Sequence, residues 1–222
     1  AVAGGAVFGE KDYAKAIASL KSASGQEQWP PKDFLFKCDC NEESGFGHFS
    51  RCLNLARWLL LKDNDFEITF LGDYNAFALL LLNKYTLDYL VASKEYSFDP
   101  ETISKKASEY HTLICDSYLI NQEFVDTLTN QNFKSVFFDD FKKLDLKNAD
   151  LVINFAVEAP AMGYKAKNLA LGPCFFTAKP EFIKIREQNI QNFKKDIHNI
   201  LIFFSGMMDL SFVGAKILTI LE

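Results

Sequence analysis

Short apolar runs that end in a polar residue, alternating with stretches of helical spacing, recur from residue 34 to the end of the chain. Strands are expected at 34–38, 66–71, 89–91, Thr112–Asp116, 134–140, Leu151–Asn154, 168–171 and 199–204. Helices are expected at 48–61, Ala76–Lys84, 100–110, 121–129, 180–191 and 213–221. In the first of these helices Cys52, Leu55, Ala56 and Leu59 repeat at helical intervals. The strands are continuously apolar rather than alternating, as burial on both faces requires. The pattern predicts an α/β chain with a Rossmann-like, mostly parallel sheet covered on both sides. Ligands bind such sheets outside the carboxyl ends of the strands. The polar residues that stop each strand are therefore the candidates for chemistry.

The 222 residues suit one α/β domain plus additional pieces, and a hydrophobic content of 49% suffices for a sizeable core. A formal charge of −5 argues against nucleic acid as the main partner. The longest apolar run, 77–82, falls far short of a bilayer span. Five scattered cysteines form neither a disulfide framework nor a zinc knuckle and read as reduced thiols. Without a signal-peptide pattern, a cytoplasmic location is expected, with no membrane partner and an oligomeric state left open. Residues 1–32 differ from the rest: a Gly-rich start, an amphipathic helix expected at 11–23, and a stiff Trp29-Pro30-Pro31 link. They read as an N-terminal extension, with the Rossmann-like domain at 33–197.

The most informative segment is Ser44-Gly45-Phe46-Gly47-His48-Phe49-Ser50-Arg51. A strand ends, Gly45 and Gly47 let the backbone turn and approach a ligand, and a helix begins. Helix-start amides attract phosphate or another anion. His48 directly follows this turn and is positioned to act as a base; the alternative is a polar helix-start residue. Arg51, three residues on, shares its face and either clamps a phosphate, holds an acidic group near the base, or is an ordinary surface arginine. Asp116-Ser117-Tyr118 ends one strand and Asp139-Asp140 another. These carboxylates can orient a histidine, bind sugar hydroxyls or cap the next helix. Paired carboxylates can also hold a divalent metal, but nothing else supplies a ligand set, so neither metal nor cofactor is expected. Asn154, ending its strand, is a further substrate-binding candidate. His111 and His198 read as structural.

Several segments, in order, resemble one family. CDCNEESGFGHFSRCLNLARWL, residues 38–59, resembles the opening of the UDP-sugar hydrolases of pseudaminic acid biosynthesis, which begin with Gly-x-Gly-His-x-x-Arg-Cys-Leu-x-Leu-Ala. The resemblance continues through CDSY (115–118), FDD (138–140), LVIN (151–154), LGPCFFTAKPEF (171–182) and ILIFFSGMMD (200–209). It implies the N-terminal half of a glycosyltransferase-B architecture, with residues 198–222 opening a second domain. It further implies hydrolysis of UDP-2,4-diacetamido-2,4,6-trideoxy-β-L-altropyranose to UDP and free sugar, with inversion. His48 would activate the attacking water and Tyr118 would lie near the sugar. Lys179 stands where the family usually has arginine, and Ser205-Gly206 replaces a more glycine-rich turn. The chain stops soon afterwards, so most of the nucleotide-binding second domain is expected to be missing from it. Two other readings remain: a glycosyltransferase of the same fold, and a catalytically silent sugar-binding half-domain.

Overall fold

A computed structural model describes residues 33–189. The helices expected at 11–23 and 213–221 and the strand expected at 199–204 lie outside them. The chain divides into two compact units, Ala1–Pro180 and Glu181–Glu222. Of the second unit, the described residues are 181–189, which belong to the helix Pro180–Asn189.

The first unit is built on one sheet of seven strands, all parallel. They are β1 (Asp33–Cys38), β2 (Glu67–Gly72), β3 (Asp88–Val91), β4 (Thr112–Asp116), β5 (Lys134–Phe138), β6 (Leu151–Asn154) and β7 (Leu169–Leu171). Their order is β3-β2-β1-β4-β5-β6-β7. The chain winds outward from β1 to β3, returns to the middle, and winds the other way from β4 to β7. The carboxyl ends of β1 and β4 therefore flank the topological switch point, where a doubly wound sheet opens a crevice.

Successive side chains point to opposite faces, which divides the core in two. Phe36, Ile114 and Phe138 pack on one face with Phe49 and Cys52 from α1 (Gly47–Lys62) and Ala78 and Leu82 from α2 (Ala76–Lys84). Leu35, Leu113 and Phe137 pack on the other. There they meet Ile103 and Ala107 from α4 (Pro100–Ala107) and Phe124 and Leu128 from α5 (Gln122–Thr129). A single-turn helix, α3 (Lys94–Ser97), precedes α4.

The helix starts follow local chemistry. The Asn75, Asp99 and Asn121 side chains accept from the amides of Ala78, Thr102 and Phe124, satisfying groups that each helix leaves open. Gly72 is required where β2 ends: a Cβ there would lie 2.0 Å from the Cys38 carbonyl oxygen.

The expected strands and helices of residues 33–189 are present, with shifted ends. Strand β5 stops at Phe138 rather than at residue 140. The Asp139 carboxylate accepts from the amides of Phe141 and Lys142 at 3.0 Å each and turns the chain. Helix α4 ends at Ala107, three residues early, where Ser108 caps it and its hydroxyl turns back to the Lys105 carbonyl. Helix α3 was not expected. Its Ser97 is fully buried and donates to Asp39 at 2.5 Å, a long-range bond that local periodicity does not reveal.

Candidate functional site

The loop from β1 to α1 is fixed from within. Asn41 Oδ1 accepts from the amides of Glu43 and Ser44 and from the Ser44 hydroxyl, while Asn41 Nδ2 donates to Asp73 at 2.8 Å. Gly45 then adopts φ +66°, a left-handed conformation that favours glycine. Beneath the loop, Lys37 and Asp39 form a buried ion pair at 2.6 Å, and Asp39 also accepts from the Asp73 amide. Among the described residues no side chain caps α1, and its first turn carries no carboxylate. The positive end of a 16-residue helix is therefore left available to an anion.

His48, in that first turn, is buried. Its Nδ1 lies 2.6 Å from Oδ1 of Asp116, the last residue of β4. The carboxylate can only accept, so Nδ1–H is the donor, and in the neutral ring Nε2 is the nitrogen with the lone pair. Arg51, one turn along α1, joins two carboxylates. It donates to Asp116 through Nε and through NH2, the latter at 2.5 Å, and to both oxygens of Asp140 through NH1 at 2.8 and 2.9 Å. Its guanidinium sits 5.0 Å from the Phe138 ring centre and 5.5 Å from that of Phe155. Burial alone would depress its pKa. The bonds to Asp116 and then Asp140 outweigh burial and raise it, so Arg51 keeps its charge. Asp116 has no solvent exposure, and its two oxygens collect donors from His48, Arg51 and the Cys52 thiol.

Tyr118 closes the group. Its ring stands edge-on to the imidazole of His48, 4.2 Å between centres, and its hydroxyl donates to Asp140. Burial and then this hydrogen bond raise the phenol above its ordinary value, so it holds its proton. One connected network, His48–Asp116–Arg51–Asp140–Tyr118, thus spans α1, the end of β4 with the loop after it, and the loop after β5.

The network borders a pocket of about 450 Å³. His48, Arg51 and Tyr118 line it together with Ser44, Phe46, Gly47 and Ser50. Asn54, Phe155, Phe176 and Thr177 form the rest of its wall. Gly47 leaves open space where a side chain would stand, whereas Gly45 acts through its turn and does not border the pocket.

Of the residues expected from sequence, His48, Arg51, Asp116 and Tyr118 come together. Asp116 orients the histidine, and the capping role open to it falls to Asn121. Two candidates are used elsewhere. Asp139 spends one carboxylate oxygen on the turn after β5, and its neighbour Asp140 reaches the site in its place. Asn154 is fully buried; it donates to the Tyr164 hydroxyl at 3.1 Å and accepts from the Ala156 amide at 2.9 Å, bracing the loop beyond β6. Neither borders the pocket. The sequence reading passed over Asn54, Phe155, Phe176 and Thr177. Asn54 lies three residues after Arg51, and that interval was the available signal.

No family model matches the chain. It is 29% identical over 183 residues to a protein of Methanocaldococcus jannaschii described as uncharacterized; the match covers 76% of this chain. The chain spans 35% of that relative's length. Among solved structures, it is similar to the apo form of saccharopine dehydrogenase (L-Glu forming) from Saccharomyces cerevisiae. That likeness has a TM-score of 0.35 and 14% identity, covering 55% of this chain and 26% of that one.

Proposed function

We propose that this chain carries the catalytic half of a nucleotide-sugar hydrolase, one that releases UDP and free sugar from a UDP-activated diacetamido-trideoxy sugar. The observation that carries the reading is the histidine–carboxylate pair at the switch-point pocket. Asp116 holds the Nδ1–H of His48, which leaves Nε2, the basic nitrogen, for the pocket. A water hydrogen-bonded to Nε2 gives up a proton as its oxygen attacks the anomeric carbon. The bond from that carbon to the UDP oxygen breaks, and UDP departs with the bonding electrons. Attack opposite the leaving group inverts the anomeric centre. The leaving group is already a stabilised anion and needs little protonation, and the uncapped start of α1 favours its charge. Arg51, tied to two carboxylates, serves the proton acceptor and not the phosphate. The ordered motif resemblance supplies the identity of the sugar.

The test is incubation of the full natural product with the UDP-sugar, assayed for UDP and free sugar. UDP release that disappears in His48→Ala supports the reading. No release, or equal release by the variant, sinks it. UDP release only when an acceptor is added would move the assignment to a glycosyltransferase.

A further inference from the structure

Asp116 has no solvent exposure, so each acceptor position of its carboxylate must find a donor inside the protein. Oδ1 accepts from His48 Nδ1 at 2.6 Å and from Arg51 NH2 at 2.5 Å. Oδ2 accepts from Arg51 Nε. An ionised carboxylate offers about four such positions, so one remains. The Cys52 thiol stands at it, with Sγ 3.9 Å from Oδ2. Cys52 is fully buried, follows Arg51 directly in α1 and takes no part in the steps proposed above. Burial first, then its neighbour Cys38, raise this thiol well above its ordinary value, so the sulfur holds the proton that it donates. Cys38 is itself buried at the end of β1, in register with Asp116. A carboxylate accepts more strongly than a thiol sulfur does, so the Cys52 S–H is directed to Asp116 rather than to Cys38.

We propose that Cys52 is a positioning residue for the histidine–carboxylate pair: its thiol fills the last acceptor position of Asp116 and limits how strongly that carboxylate holds His48. Only the kinetic consequence rests on the hydrolase reading. A donor on Oδ2 draws negative charge away from Oδ1. With that donor removed, more charge falls on Oδ1, the Nδ1–H bond tightens, and the imidazolium is stabilised against the free imidazole. Nε2 is then free to accept a proton from water over a narrower pH range. The other groups that face the pair are Arg51 from α1, Tyr118 from the loop after β4, Asp140 from the loop after β5, and Cys38 and Cys115 from β1 and β4. Arg51 keeps its charge, Tyr118 and Cys115 keep their protons, and Asp140 stays bonded to Arg51 whatever stands at position 52.

The experiment follows the His48 Nδ1–H proton by NMR in the full chain, the resonance being assigned by its loss in His48→Ala. Cys52→Ala is expected to move it downfield. Cys52→Val, which refills the space without supplying a donor, should move it the same way. On the full natural product, the acid limb of kcat/KM for UDP release should shift to higher pH by about half a unit in both variants. A merely structural role would lower the rate by one factor at every pH and leave the resonance in place, and that result overturns the inference. Opposite movements of the resonance in the two variants overturn it as well. Downfield movement in both variants, beside a wild type that releases no UDP, overturns the hydrolase reading and leaves the role of Cys52 standing.

Discussion

His48 Nδ1 and Asp116 Oδ1 lie 2.6 Å apart although 68 positions separate them in the chain. The contact fixes which ring nitrogen is basic. Asp116→Asn is expected to lower UDP release by about a hundredfold or more, because an amide no longer enforces the tautomer or stabilises the imidazolium. His48→Ala should lower it at least as far. The two losses should not add in the double variant, since both remove one unit. Steady-state rates of the three variants decide this, and full additivity would argue that Asp116 acts independently of His48.

Arg51 cannot be replaced by its nearest analogue. A lysine offers one point charge where the guanidinium reaches Asp116 and Asp140 together. Arg51→Lys is expected to cost about 3 kcal/mol of stability, read by urea denaturation. The same variant should lose kcat more than binding. An unchanged denaturation midpoint would show that the network adds nothing to the fold.

At Gly72, alanine places its methyl group 2.0 Å from the Cys38 backbone oxygen. Backbone cannot swing aside as a side chain can. Gly72→Ala should destabilise by about 3 kcal/mol, measured as a shift in the thermal midpoint. Gly45→Ala meets open space and bears only the cost of its positive φ, about 1–2 kcal/mol.

The five cysteines should separate by reactivity. Cys174 is exposed, and Cys38, Cys40, Cys52 and Cys115 are buried. Burial, reinforced by Cys38, pushes the Cys40 thiol up to about 11, and burial also raises Cys115 and Cys52. A disulfide reagent near neutral pH is expected to modify one thiol quickly and the other four only on unfolding. Loss of the fast phase in Cys174→Ser assigns it.

Acid sensitivity should trace in part to Asp150. Burial raises this carboxyl, but the Ser135 amide and then Lys167 overcome it, and the net shift is downward. A lowered folded value adds stability that is fully present above the unfolded value, near 4, and is lost as the pH falls through the folded one. Asp150→Asn should therefore flatten the acid limb of the stability curve and lower the plateau above it. Parallel acid limbs in wild type and variant would remove Asp150 from the account.

Much of this site was legible because strand ends and helix starts are local events. His48 and Arg51 follow a glycine turn at one-turn spacing, and Asp116 and Tyr118 follow an apolar run. The choice between Asp139 and Asp140 was not legible. Adjacent residues at a strand end point in opposite directions, and the turn decides which one faces the crevice. Asn154 misled for a related reason. A polar strand end suits a ligand, but Tyr164 and the Ala156 amide had already taken its hydrogen bonds. Thr177 sits in irregular chain, 123 positions from the Asn54 it touches, and no periodicity signals it.

The register of the sheet places Cys38 opposite Asp116, at the last paired position of β1 and β4. The carboxylate that holds the histidine is thus anchored in the frame, whereas Tyr118, Phe155 and Phe176 stand on the loops beyond it. On the proposed hydrolase reading, the loops that carry Phe155 and Phe176 can be exchanged to admit a different ligand while His48 and Asp116 stay where they are. The reading thus makes what is recognised and what is done to it separable by grafting.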